Sequence, residues 1–484
     1  MGADARAVAH DLGLLLFVPV GLVIGTVPVA VAVGEWHALP PLLMVAAAAG
    51  VCGTLLVRRF RDARTSHAWP AVEIVALGWL LLAVAGAAVL WGIGTAAGMD
   101  DADRVFRDPG NALFEAMSGT TSTGLSMADG IESQLSRTVQ WWRSLLQWTG
   151  GVGVVLFAIG FTHTASNVRA LYEAEGRTDD LGGDVRVTVR RTFGIYAGLT
   201  AAAVLALLAT GHTPWQAVNH GLTGLSTGGF TVTDDSIAGF GTATRVVVMV
   251  IMSLGAVTFV GHHVLFVQRD VRRFTRLTPV RVQGLLLAAG LATAVALAAR
   301  AADLAPADAA FQWVSATATA GFSVAPEQAA WPTPLLLLLV LAMVVGAPSG
   351  STGGGAKQDR VAWLVKAGLA RLRHGGRPGQ LHWDGDEVAP AARREAVEHA
   401  AAVVALWLVT LAIGSALLAA TTDAPLRQVV FDAASALGNV GLDAEVVDAE
   451  LPGLGKGTLA ALMYLGRLEL LVALTLAAQH EHAT

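Results

Sequence analysis

Charge is scarce in this chain, and so is cysteine. Only 14% of its 484 residues are Asp, Glu, Lys or Arg, while 54% are hydrophobic; a soluble protein carries nearer a quarter charged residues. That shortage excludes a water-soluble globular fold, and a mean hydropathy of +0.57 indicates an integral membrane protein with many spans. The single cysteine, Cys52, lies in an apolar run, which excludes an internal disulfide and argues against thiol redox chemistry. No Ser/His/Asp set and no Cys/His cluster stands out, so no enzyme and no catalytic residue is expected, and nothing points to nucleic acid. His262 and His263 are adjacent and cannot share one helix face, which argues against a metal site there; His220 reads as a packing residue. Glycine is abundant instead, with 54 residues scattered through apolar stretches, as close helix packing or non-helical backbone inside a membrane requires.

Apolar runs of the length that spans a bilayer, about 20 residues, occur near 12–33, 39–57, 70–95, 139–161, 192–210, 244–267, 281–300, 332–363, 397–420 and 455–478. The first follows Arg6 and continues into a full span, so it reads as a transmembrane helix rather than a cleaved signal. Arginine and lysine gather in the loops after spans 2, 4, 6 and 8 (Arg58 and Arg59, Arg190 and Arg191, Arg272 and Arg273, Arg371 and Arg373 among them). The positive-inside rule then puts these loops and both termini in the cytoplasm of a cell-membrane protein. Trp91, Trp141, Trp142, Trp215 and Trp331 fall near outer ends, where an interfacial aromatic belt is expected.

Four short segments between spans 3/4, 5/6, 7/8 and 9/10 repeat one pattern: FEAMSGTTSTGL (114–125), NHGLTGLSTGGF (219–230), FQWVSATATAGF (311–322) and FDAASALGNVGL (431–442). Aligned on Gly124, Gly229, Gly321 and Gly441, they carry a hydroxyl six positions earlier (Ser118, Thr223, Ser315, Ser435). A small residue stands five earlier (Gly119, Gly224, Ala316, Ala436), and Leu or Phe follows each glycine. Such internal repetition dictates architecture. The expected fold is an all-α membrane protein of four helix–pore-loop–helix units in pseudo-fourfold order around one pore, plus two N-terminal helices. The divisions are residues 1–66 for the extra pair, 67–165, 166–270 and 271–370 for units 1 to 3, and 371–484 for unit 4.

A short helix followed by an extended, Gly-ended strand has one well-understood use at membrane depth: backbone carbonyls replace the water shell of a cation. The helix directs its negative end toward the axis, and glycine allows backbone angles that a side chain penalises. No strand carries a ring of carboxylates, so dehydration by carbonyls would favour K⁺ over Na⁺. A single copy would read as a tight helix–helix loop; four aligned copies in equivalent slots argue for a pore. Asp129, Asp234, Asp235, Glu327 and Asp443 follow the strands and would ring the outer mouth, raising local cation concentration; each alone also reads as an ordinary loop residue. Span 8 is interrupted by Gly346, Pro348, Gly350, Gly353, Gly354 and Gly355. Because each internal glycine costs a helix about 1 kcal/mol, a break near mid-membrane is expected, the alternative being a kinked packing helix. GSTGGGAK in this span lacks the Gly-Lys-Ser/Thr ending of a phosphate loop, so no nucleotide is expected on this chain. Arg467 and Glu469 lie in span 10, where an ionised residue must face protein or water. Arg467 is expected beside the Gly-rich loop as an electrostatic barrier to cations, with Glu469 partnering it or Lys357; a packing ion pair is the other reading.

These segments, with QWTGGVGV (147–154), LYEAEG (171–176), GAPSGSTGGGAK (346–357) and LGRLE (465–469), resemble the Trk/Ktr/HKT superfamily of potassium transporters over nearly the whole chain. The extra helix pair is similar to the Trk membrane subunit rather than the eight-span Ktr one. The resemblance implies K⁺ uptake through a gated, channel-like filter. K⁺ would be held by Ser122, Thr123, Thr227, Gly228, Thr319, Ala320, Asn439 and Val440 and the four glycines. Gly124 stands where Ser is associated with Na⁺ transport in plant HKT relatives. The resemblance further implies that the loop Gly350, Ser351, Thr352, Gly353, Gly354 and Gly355, with Lys357, obstructs the pore below the filter. It also implies a homodimer in membrane lipid with one pore per protomer. A cytosolic, nucleotide-binding regulatory ring is implied too, docking at 165–191 and 367–396. A weakly selective Na⁺/K⁺ pathway, a cation–proton symporter and a non-conducting receptor stay open as alternatives.

Overall fold

The computed structural model describes residues 3–62, 69–96, 102–153, 185–301, 304–325, 328–373 and 390–468. Among them every regular element is helical. Two N-terminal helices, Asp4–Val33 and Trp36–Arg59, form an antiparallel hairpin. Gly13 and Gly53 let them approach until each glycine lies against the other's backbone carbonyl. At the hairpin tip the Glu35 carboxylate accepts the backbone N–H groups of Arg137 and Thr138 at 2.9 and 2.8 Å. It thereby caps the positive end of a helix in the body of the protein.

The body consists of four units of one plan: a long first helix, a short buried helix, a Gly-ended segment, and a second helix. Unit 1 uses Trp69–Ala96, Pro109–Thr120 and Arg137–Val152; unit 2 uses Val185–Ala209, Pro214–Leu225 and Thr242–Gly255. Unit 3 uses Thr278–Ala298, Pro306–Ala318 and Thr333–Val345; unit 4 uses Pro390–Ala419, Leu426–Leu437 and Gly453–Arg467. Proline opens the first three short helices, where its missing N–H costs nothing. Asp108 and a Thr213–Gln216 capping box supply acceptors in units 1 and 2. The first helices present apolar residues outward, with Val84, Leu205, Leu285 and Ile413 all more than half exposed, as a lipid-facing wall must. Phe114, Phe311 and Phe431 of the short helices are at most 1% exposed, so the short helices lie inside that wall.

Among the described residues six helices are long and apolar enough to cross a membrane, and a seventh span arises if Thr242–Gly255 and Phe259–Val267 are taken together. Those two are bent by 105°, which corrects the continuous helix expected over 244–267. The cause is local: Gly255 sits so close to the Leu225 carbonyl that no Cβ fits, and Thr258 caps a new helix by accepting from Gly261 N–H at 3.0 Å. The expected interruption of 332–363 is present, with Thr333–Val345 ending at Gly346 and Gln358–Arg373 beginning after the loop. Expected spans 139–161 and 455–478 run beyond the described residues. Two of the expected belt tryptophans belong to the core: Trp142 is 0% exposed with its indole N–H toward Gly86 O at 3.3 Å, and Trp331 is 6% exposed. Trp142 stands on an inward-packing face of Arg137–Val152, and Trp331 in the bend before Thr333–Val345; loop position alone reveals neither.

Candidate functional site

The four Gly-ended segments meet and close a ring. A Cβ on Gly124 would collide with the Gly228 carbonyl, one on Gly229 with Ala320, one on Gly321 with Val440, and one on Gly441 with Thr123. Each unit thus backs onto the next, and the fourth onto the first. All four glycines have positive φ, at 101, 75, 75 and 94°. Two residues earlier Ser122, Thr227, Thr319 and Asn439 are also left-handed, at 55, 52, 51 and 50°. A non-glycine residue there carries strain of order 1–3 kcal/mol, so four equivalent instances mark a conformation that the surroundings impose. The intervening Thr123, Gly228, Ala320 and Val440 are not left-handed, and the alternation turns successive peptide groups to one side.

The repeated columns have separate tasks. The residues of the hydroxyl column tie the ring to the short helices through their backbone carbonyls: Ser118 O accepts from Thr123 N–H at 2.8 Å and Ser435 O from Val440 N–H at 2.9 Å, with Thr223 O and Ser315 O doing the same for Gly228 and Ala320. The Ser118 and Ser435 hydroxyl oxygens also accept from Gly124 and Gly441 N–H, both at 3.0 Å. The small residues make room for the next unit, since a Cβ on Gly119 would meet the Phe230 ring and one on Gly224 the Phe322 ring. Gln147 adds a bracket, its Oε1 accepting from Phe230 N–H at 3.0 Å while its amide donates to Gly228 O.

On one side of the ring the four glycines line a cavity of about 220 Å³ together with Asp129, Asp234, Asp235 and Asp443. Asp129, Asp234 and Asp235 are exposed; Asp234 also accepts from Glu132 N–H at 2.8 Å. Burial pushes the Asp443 carboxyl above its ordinary value of 3.8, against hydrogen bonds from Asp432 and from the Glu445, Val447 and Val446 amides. Glu327 lies outside the described residues. At the wall of this cavity Arg143, which helps to line it, forms an ion pair with Glu115 at 2.6 Å, their side chains 2% and 0% exposed. Arg143 stacks on the Phe230 ring at 3.9 Å, and Ser126 bridges both charges.

On the opposite side residues 346–357 form an irregular loop pressed against the ring. Gly354 N–H donates to Thr319 Oγ1 at 2.9 Å, and the Thr352 and Thr227 hydroxyls are 3.2 Å apart. Thr352 Oγ1 donates to Gly255 O at 2.9 Å, engaging the break in unit 2. Ser351 Oγ donates to Pro348 O, and Ser349 is held by Asp359 at the start of the following helix. Gly346, Gly350, Gly355 and Lys357 have positive φ; Gly353 and Gly354 touch Thr319 and Gly438 too closely for a side chain. The buried Lys357 ammonium donates to Gly353 O at 2.6 Å. From unit 4, Arg467 donates to Thr352 O at 3.0 Å and to Gly150 O of unit 1, and lies 4.9 Å from the Trp79 ring. It therefore straps the loop to two units. Glu469 lies outside the described residues, as does 171–176.

Two features escaped the sequence reading. One is a second glycine column, Gly150, Gly255, Gly346 and Gly466, 25 or 26 residues past the first. In units 1, 2 and 4 it seats the second helix on the carbonyl of Thr120, Leu225 or Leu437. The other is the side-chain role of the left-handed column: Ser122 donates to Gln147 O and Asn439 to Met463 O, at 3.0 and 2.8 Å. Counting the columns outward from the repeated glycine would have found the first; the second needs the neighbours' positions.

Comparison with known proteins agrees with this geometry. A Trk system potassium uptake protein TrkH of Halomonas elongata is 30% identical over 380 residues, covering 76% of each chain. An uncharacterised cation transporter of Methanocaldococcus jannaschii is 28% identical over 371 residues, covering 76% of this chain and 75% of its own. The crystal structure of the potassium transporter TrkH from Vibrio parahaemolyticus superposes with a TM-score of 0.82, covering 97% of this chain and 98% of that one at 24% identity. Residues 105–484 match the family model TrkH, described as a cation transport protein. The chain is a multi-pass membrane protein and belongs to the TrkH family of cation transport proteins.

Proposed function

We propose that this chain takes up K⁺ across the cell membrane through one gated, channel-like pore per protomer. The observation that carries this reading is the closed ring of four left-handed glycines, each backed on its neighbour's carbonyl. Ser122, Thr123, Thr227, Gly228, Thr319, Ala320, Asn439 and Val440 supply the backbone oxygens that replace the ion's water. The short helices end at Thr120, Leu225, Ala318 and Leu437, just before the ring, and turn their negative ends toward a cation. Asp129, Asp234, Asp235 and Asp443 concentrate cations at the entrance, and the loop 346–357 with Lys357 and Arg467 closes the exit by obstruction and positive charge. The names of the relatives support K⁺ as the ion. In this reading the protomer works as a homodimer with both termini cytoplasmic. A nucleotide-binding cytosolic ring relieves the block through the basic loops.

The test is flux of K⁺, Rb⁺, Na⁺ and Li⁺ down imposed gradients in vesicles holding the purified chain. K⁺ and Rb⁺ fluxes well above Na⁺ and Li⁺ support the reading. Equal fluxes remove the selective filter, and no flux from either the parent or the Arg467→Ala chain removes the pore.

A further inference from the structure

Nine positions before the repeated glycines stand Glu115, His220, Gln312 and Asp432, side chains with no identity in common. All four are at most 1% exposed. Each accepts a hydrogen bond from the backbone N–H three residues beyond its own unit's glycine. Glu115 Oε2 takes Met127 N–H at 2.8 Å, and His220 Nε2 takes Val232 N–H at 3.2 Å. Gln312 Oε1 takes Val324 N–H at 3.3 Å, and Asp432 Oδ1 takes Ala444 N–H at 2.7 Å. An apolar side chain would fill this buried space equally well; what the four share is an acceptor at one place.

We propose that these four side chains are positioning residues that clamp the outer end of each filter strand and thereby set the preference for K⁺ over Na⁺. The inference rests on the pore reading above. The inner end of each strand is already tied, through the backbone carbonyls of Ser118, Thr223, Ser315 and Ser435, to the last turn of the short helix. The clamp ties the outer end to the same helix nearly one turn earlier, so each strand is held at both ends on a single rigid element. Carbonyls held in this way keep the spacing suited to the larger ion; strands freed at one end close around the smaller one. A buried N–H without an acceptor also seeks a new partner, which moves the strand further. Four unlike residues making one bond in four units point to the bond, rather than to any one chemistry, as the requirement.

The experiment compares K⁺ and Na⁺ flux in vesicles for the parent chain, Gln312→Leu, Gln312→Asn, His220→Leu and His220→Gln. Leu removes the acceptor, and Asn holds it one methylene short. Gln at 220 transplants the acceptor that serves unit 3. The K⁺:Na⁺ flux ratio is expected to fall about tenfold in Gln312→Leu, Gln312→Asn and His220→Leu, the loss of one buried hydrogen bond. His220→Gln is expected to restore most of it. The ratio separates the clamp from a merely structural role, because a less stable chain lowers both fluxes together. Should a Leu chain not fold, Gln312→Asn decides by the same ratio. Unchanged ratios in folded variants of a selective parent overturn the clamp alone, as does His220→Gln losing as much as His220→Leu. A parent without K⁺ preference overturns the pore reading and the clamp with it.

Discussion

At the scale of single residues, the ring is made by what is missing from a glycine. Gly441 has φ of 94°, and a Cβ there would enter the Thr123 carbonyl, so Gly441→Ala faces both a steric and a conformational cost, about 1–3 kcal/mol from the backbone alone. Its K⁺ flux in vesicles is expected to drop at least roughly tenfold while circular dichroism stays helical; parental flux would show that this carbonyl plays no part. The glycine, hydroxyl and small-residue columns were legible in the sequence because identity or size repeats at a fixed offset. The clamp column was not, because Glu, His, Gln and Asp share only an acceptor. Nor was the side-chain work of Asn439, whose amide reaches Thr123 Oγ1 and Met463 O, since its partners stand in other segments.

At the scale of elements, the second helices of units 2 and 3 break after Gly255 and Val345, and the loop of unit 3 lies against the ring. The Gly-rich run over 346–357 was readable as a break by propensity alone. The 105° bend of unit 2 was not, because it depends on a single Gly255–Leu225 contact and a Thr258 cap in otherwise apolar sequence. Arg467 holds the loop by donating to Thr352 O and Gly150 O. Arg467→Ala removes these charge-assisted bonds and the positive charge, so single-channel recordings are expected to show resting K⁺ conductance raised about tenfold or more. Unaltered conductance in a folded variant would sink the strap. The Glu115–Arg143 pair joins a short helix to its second helix with both side chains almost wholly buried. Arg143→Met leaves an uncompensated buried carboxylate and is expected to cost about 3–5 kcal/mol, seen as a lowered unfolding temperature in detergent. Adding Glu115→Gln is expected to recover part of that loss.

At the scale of the whole molecule, four units of one plan enclose a single axis, with acid on one face of the ring and Arg467 and Lys357 on the other. The repeated segments and their order along the chain were legible because the repeat recurs about every hundred residues between apolar runs. The interlocking of each glycine with the next unit's carbonyl was not, since no sequence pattern says which strands touch. Asp443 lines the acidic cavity beside the ring, with its carboxyl raised by burial. A raised carboxyl is neutral below its shifted value and charged above it. K⁺ uptake at low external K⁺ is therefore expected to fall as external pH drops, beginning above the ordinary carboxylate value of 3.8. Asp443→Asn is expected to flatten that fall, and an identical pH profile in both chains would exclude Asp443 as a capture group.

The most direct measurement is anomalous scattering from crystals of the chain grown in Tl⁺, which substitutes for K⁺. Peaks are expected on the axis, encircled by the backbone oxygens of Thr123, Gly228, Ala320 and Val440. Peaks confined to the acidic cavity, with none inside the ring of Gly124, Gly229, Gly321 and Gly441, would contradict a carbonyl filter.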